Sequence, residues 1–204
     1  MPRTTKQNEK IKDQRKRQIL RTTLTLFCEK GYENVSIDDI CKKCRVSHGL
    51  FYHYFESKEA IKNELYLDGK DKKEKPNKIL SSQNLKGLSY IEKAIYLLLD
   101  SLQNEPAACF FIYWDYSNLL TKIKSYKKIK DAIGDRPVLK RFLKEIKDGQ
   151  KQREIAPGNP EEFLVIYISF VVGISYLKMR NKSKENLIPS SDVVLNLFTR
   201  KKGI

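Results

Sequence analysis

Glycine and proline are scarce, nine and seven in 204 residues. They punctuate periodic segments, and no alternating run of β-branched residues is long enough to build a sheet, which leaves an all-α chain. Long apolar runs are missing as well. None approaches the roughly 18 to 20 residues that span a bilayer, so no membrane segment is expected. The N-terminus, MPRTTKQNEKIKDQRKRQ, is polar and basic with no apolar stretch behind it, which argues against a secretion signal. Only four cysteines occur, and without an export signal they are expected as free thiols in a reducing cytoplasm. No phosphate-binding loop, dinucleotide fingerprint, serine elbow or zinc-protease motif appears, so no cofactor and no enzyme activity are expected.

What is abundant is positive charge. The formal net charge is +15, yet 30 of the 40 basic residues are lysine, a bias that base composition alone can produce. The distribution says more than the total. Residues 1–21 hold eight Lys/Arg against Glu9 and Asp13, whereas residues 22–60 hold five basic against six acidic residues. A basic arm thus precedes a nearly neutral segment, a distribution suited to a polyanion such as nucleic acid.

The periodicity places an amphipathic helix over about 10–30, with Ile19, Leu20, Thr23, Leu24 and Phe27 on one side and Gly31 as its stop. Ser36 caps a short second helix with Asp38 and Asp39 in its first turn, where the helix dipole favours anions. Ser47 caps a third helix through residue 55, and Ser57 a fourth. The lysine-rich stretch 70–78, with Pro76, reads as a frayed end or a linker. Longer helices are expected at about 86–103, 106–126, 136–151, 160–180 and 190–200. Asn159 caps the fourth of these, with Pro160 at its first position.

A short helix, a tight turn and a second short helix behind a longer one form a helix-turn-helix unit. Both histidines and four aromatics crowd into VSHGLFYHYF, residues 46–55. At 100° per residue, Phe51 and Phe55 share the inward face while Gly49, Leu50, Tyr52 and His53 point away. Such a helix offers the major groove a slim first turn and then side chains that reach bases and phosphates.

SIDDICKKCRVSHGLFYHYFESKEAI, with ILRTTLTLFCEKGYENVS before it, resembles the signature of TetR-type transcriptional regulators over residues 15–62. The resemblance implies a DNA-binding head at 1–62 and a ligand-binding, dimerising helical body at 63–204. It implies a homodimer on a palindromic double-stranded operator, most simply a repressor released by a small-molecule effector. It also implies a DNA-contacting set of Ser36, Ser47, His48, Gly49, Leu50, Tyr52, His53, Tyr54 and Lys58; Arg17, outside the signature, is a further candidate as an anchor of the basic arm. His48, Gly49 and Leu50 would form the base-reading turn, Tyr52 would touch a base or phosphate, and Lys58 would pair with a phosphate. Two departures stand out: Arg45 occupies a turn position commonly held by glycine, and Cys41 and Cys44 fill positions commonly held by alanine.

Rival readings rest on the same residues. CKKC suggests a zinc or thiol sensor through Cys41 and Cys44, extended by Cys28 or His48, but structural zinc requires four ligands, usually from two separated pairs. His48 and His53 as an acid–base pair would need an enclosed pocket. In the body, Tyr90, Tyr96, Phe110, Trp114 and Tyr167 are candidate pocket residues, and Cys109 is expected in the core. Residues 122–130 form a basic run expected as an exposed loop. Phe163, Tyr167, Phe170, Ile174 and Leu177, together with Val194, Leu197 and Phe198, give the last two helices apolar positions on more than one side. The second side calls for a partner subunit, with Gly173 allowing close approach.

Overall fold

A computed structural model describes residues 5–181 and 187–199; the first four residues of the expected basic arm and the end of the expected 190–200 helix lie outside them. The helices are α1 (Thr5–Lys30), α2 (Ile37–Cys44), α3 (His48–Tyr54), α4 (Lys58–Ser82), α5 (Gly87–Asn104), α6 (Pro106–Lys122), α7 (Ile129–Ile133), α8 (Pro137–Lys151), α9 (Pro160–Arg180) and α10 (Ser191–Leu195). Among the described residues there is no strand, only an isolated bridge between Ile155 and Thr199. Contacts divide the chain into two compact units, Met1–Asp68 with Arg180–Lys182 and Gly69–Met179 with Ser183–Ile204.

In the first unit, local chemistry sets the end of α1 and the starts of α2, α3 and α4. Gly31 accepts φ 84°, the left-handed value that stops α1 at low cost. Ser36 and Asp39 form a reciprocal capping box on α2, with Asp39 N–H donating to Ser36 Oγ at 3.1 Å and Ser36 N–H donating to Asp39 Oδ2 at 3.0 Å. Ser47 Oγ accepts from Leu50 N–H at 3.2 Å, and Ser57 Oγ from Ala60 N–H at 3.1 Å. Ile19, Leu26, Phe27, Val35, Ile40, Phe51, Phe55, Ile61 and Leu65 are all buried and form the core. Each such side chain contributes about 1.5–3 kcal/mol by leaving water. That core holds α3 by Phe51 and Phe55, as the periodicity implies.

In the second unit α5 is central. Tyr90, Ile91, Ala94, Ile95, Leu97, Leu98 and Leu102 are buried, so α5 is apolar nearly all round and packs against α6, α8 and α10. Its first turn is tied down by a buried carboxylate, Glu145, which accepts from Gly87 N–H at 2.9 Å and faces Arg141 and Lys144.

Three expectations need correction. The stretch 70–78 is neither frayed nor a linker, because α4 runs through it with Pro76 inside. Tertiary packing outweighs the breaker residues: a Cβ on Gly69 would fall 2.4 Å from the Ala107 carbonyl oxygen, so α4 lies directly against α6. The 106–126 helix ends at Lys122, and a 3-10 turn (Tyr126–Lys128) and α7 follow it. The 190–200 helix is only the five residues of α10, after which Phe198 turns into the core.

The premise that no segment is long and apolar enough to span a bilayer is corrected as well. α9 has 21 residues and is long and apolar enough to cross a membrane. A core helix of a helical unit passes the same test, and Leu164, Tyr167, Ile168, Val171 and Ile174 of α9 are buried within the second unit.

Candidate nucleic-acid interface

The turn between α2 and α3 is built at Arg45, which holds φ 55° and ψ 50°. Its N–H donates to Lys42 O at 3.3 Å, and Val46 N–H donates to Cys41 O at 3.0 Å, closing α2 as a glycine would. The left-handed backbone costs a residue with a Cβ about 1–2 kcal/mol. The two helices on either side are held through Cys41, Cys44 and Phe51, all buried, and this packing sustains the strained residue.

Beyond the turn, α3 separates its residues cleanly. Phe51 is buried, whereas His48, Gly49, Tyr52 and His53 are exposed, with Tyr52 at 53%. Leu50 and Tyr54 are half-buried. A Cβ on Gly49 would meet nothing within 4 Å, so the first turn of α3 is bare on its outer side. His48 Nε2 lies 2.7 Å from Asp38 Oδ1. Ser36 and Ser47 are exposed, but their hydroxyls are engaged in caps.

Lys58 opens α4 beside this surface. Its ammonium donates to Tyr32 O at 3.0 Å and lies 4.3 Å from the Tyr32 ring centroid, with Lys62 at 4.6 Å from the same ring. The Tyr32 phenol donates to Glu59, which together with burial raises its pKa, burial being the larger cause. Tyr32 thus organises two lysines at the start of α4, a role that the sequence reading missed; its signal was an aromatic directly after the helix stop. On α1, Lys16 is bound to Glu64 at 2.8 Å, while Arg17 is exposed.

Three carboxylates set the pH response of the first unit. The capping hydrogen bonds of Ser36 hold Asp39 far below the usual carboxylate range, Lys42 and then His48 lower Asp38, and the Tyr32 phenol lowers Glu59. Each binds its proton more weakly folded than unfolded. Their stabilisation is therefore complete above about pH 5 and is lost as pH falls through the lower folded values. Thermal melts on acidification should show this loss, and Asp39→Asn should flatten it.

The thiols do not resemble a sensor. Burial, then Glu29, pushes Cys28 up to about 12, and burial raises both Cys41 and Cys44. The thiolate is the metal ligand and nucleophile, so all three positions disfavour it. Among the described residues no group of three or more His, Cys, Asp or Glu could hold a metal ion.

In the second unit the structure separates the candidates. A cavity of about 30 Å³ is lined by residues that include Asn77, Leu98, Ser101, Tyr116 and Tyr167. Tyr167 is the one pocket candidate on its wall. Tyr90 is buried beneath the Arg141 guanidinium, Phe110 stacks on Trp114, and Tyr96 is 51% exposed. Of the interface candidates, Tyr167, Ile174, Val194 and Phe198 are buried inside the unit. Tyr167 stacks on Phe142 at 4.2 Å, and Phe163 lies 5.8 Å from Phe198. Leu177 and Leu197 are about half exposed and Phe170 partly so. Ile166 and Val193 are exposed as well, and a Cβ on Gly173 would meet nothing within 4 Å.

The profile described as bacterial regulatory proteins of the tetR family matches residues 19–65. These residues form a TetR-family helix-turn-helix domain. YuxN of Bacillus subtilis (strain 168), an uncharacterised HTH-type transcriptional regulator, is 51% identical over 43 residues, which are 21% of this chain and 15% of that protein. The match spans only about a seventh of the curated relative. Solved structures extend the likeness of fold over most of the chain. The ketosteroid transcriptional regulator KstR2 of Mycobacterium tuberculosis superposes with a TM-score of 0.65 at 16% identity, covering 92% of this chain and 96% of that one. AibR, solved in complex with isovaleryl coenzyme A and operator DNA, gives 0.60 at 15% identity, covering 89% and 94%.

Proposed function

We propose that the chain is a cytoplasmic transcription regulator that binds a palindromic operator as a homodimer, most simply a repressor released by a small molecule. The observation that carries this reading is the open outer side of α3. A bare Gly49 is followed by exposed Tyr52 and His53, on a helix clamped from behind by Phe51 and Phe55. That is the shape a major groove admits. Leu50 has no donor, so its contact would be apolar, with a thymine methyl as its partner. His53, Tyr54, Lys58 and Arg17 would meet the phosphate backbone, and the caps at Ser36 and Ser47 would present helix N-termini to it.

The homodimer is supported by the strip on α9 and α10. Ile166, Phe170, Gly173 and Leu177 recur at helical spacing on the solvent side of an apolar helix, and Val193 and Leu197 are exposed on α10 and just after it. A second copy covers such a strip by two-fold symmetry. This assigns the interface to the outer row and leaves Tyr167, Ile174, Val194 and Phe198 to the core.

The effector site is assigned to the cavity beside Tyr167. At about 30 Å³ it holds little more than one water, so an effector must favour a state in which it is wider. A ligand acts only through its different affinity for the two states. AibR carries both a ligand and operator DNA in one structure, which supports the same two-site plan here.

The test is retention of fragments of the source genome by the full-length protein. A discrete set of sites with inverted repeats is expected, bound with an affinity that falls steeply with salt as phosphate contacts release counterions. Uniform retention of all fragments would contradict the reading.

A further inference from the structure

Asp38 has no part in the reading above except as a residue in the first turn of α2. It stands in solvent, yet both of its carboxylate oxygens are occupied. Oδ1 lies 2.7 Å from His48 Nε2, and Oδ2 lies 3.1 Å from Lys42 Nζ. His48 is the first residue of α3, where the helix would meet base edges. The ammonium of Lys42, and then His48, hold the carboxyl below its ordinary value, so at neutral pH Asp38 is a carboxylate.

A carboxylate only accepts hydrogen bonds, so the proton between the two residues belongs to Nε2. With Nε2 engaged, the ring is held in one orientation and Nδ1 is the nitrogen that remains for a base edge. Among the described residues Nδ1 has no hydrogen-bond partner, and the side chain is 55% exposed. In the major groove each base pair presents its own pattern of donors and acceptors, so a ring nitrogen held in one place discriminates between them. Without the carboxylate the ring can rotate, and the preference disappears.

We propose that Asp38 is a positioning residue for sequence recognition: it holds the His48 ring in the orientation from which Nδ1 reads one base pair of each half-site. The proposal rests on the reading of α3 as the recognition helix. It assigns a sequence-selecting role to a residue on the supporting helix that need not touch DNA.

The experiment is selection by the full-length protein from duplexes randomised over roughly three helical turns. It compares the wild type with Asp38→Asn, Asp38→Ala, His48→Ala, Asp38→Ala/His48→Ala and Tyr52→Ala. Asparagine preserves the size of the side chain, and helical circular dichroism verifies the fold of each variant. The wild type should show a base preference at one symmetry-related pair of positions that His48→Ala removes. Both Asp38 variants should relax that preference roughly tenfold, leaving the other positions unchanged. The double variant should match His48→Ala alone. The proposal is overturned if the Asp38 variants keep the preference, if Asp38→Ala still shifts it in the His48→Ala background, or if His48→Ala leaves it unchanged. Should Tyr52→Ala and His48→Ala both leave the whole selected sequence unaltered, the recognition-helix reading fails and takes the proposal with it. If both alter it and Asp38→Asn does not, only the role of Asp38 is lost.

Discussion

Replacing Gly49 with leucine should abolish specific DNA binding without weakening the fold. A glycine inside a helix costs about 1 kcal/mol relative to a good helix former, and leucine is such a former. A Cβ at this position meets nothing within 4 Å, so the larger side chain has room in the free protein. Stability should therefore hold or rise by up to about 1 kcal/mol in denaturant unfolding. On DNA the same side chain would occupy the space through which the first turn of α3 approaches the base edges. Losing one or two base contacts at about 1–3 kcal/mol each, about 3 kcal/mol in the middle of that range, predicts a roughly hundredfold fall in operator affinity. The opposite signs are the point of the experiment. Falling stability together with falling affinity would indicate damage to the head, and unchanged affinity would show that Gly49 does not approach DNA.

Charging the outer strip of α9 should separate the subunits. Ile166 and Leu177 are each about half exposed, so Ile166→Lys/Leu177→Lys should alter the protomer by only about 0.5 kcal/mol per site. In a dimer the two-fold axis would bring lysines from both copies onto one apolar surface, where their desolvation is uncompensated. Light scattering should report a monomer with native helical content. Ile174→Ala provides the contrast: this side chain is buried inside the unit, and its truncation should cost about 2–5 kcal/mol of protomer stability. A variant Ile166→Lys/Leu177→Lys that remained dimeric would place the interface elsewhere.

Much of the first unit is legible in the sequence because its signals are local. Ser36, Ser47, Ser57 and Gly31 each set a boundary by chemistry within four residues, and Phe51 and Phe55 follow from helical period alone. Arg45 shows the limit of such reasoning. An arginine gives no hint of a left-handed turn, yet α2 and α3 are packed so that the turn forms regardless. The course of α4 through residues 70–78 was hidden for a related reason. A lysine run and Pro76 argue for a break, while the close approach of Gly69 to Ala107 depends on residues nearly 40 positions away.

The second unit was harder to read because α9 is apolar on both sides. Periodicity shows that two apolar rows exist, without saying which one meets the core of its own chain. Hence Tyr167 and Ile174 were grouped with Phe170 and Leu177, from which the structure separates them. Pocket residues suffered similarly, since aromatic density marks Phe110 and Trp114, which stack on each other, as readily as Tyr167, which lines the cavity. The contact between Asp38 and His48 joins positions ten apart on different helices. An acidic residue in the first turn of one helix and a histidine at the start of the next were its only trace.

The most direct measurement of the central claim is guanine N7 methylation interference on a DNA fragment that the protein retains. N7 lies in the major groove, where α3 is assigned. Interference is expected in two symmetry-related patches whose centres lie one helical turn, or a whole number of turns, apart. Binding that is indifferent to N7 methylation throughout the site would contradict the account.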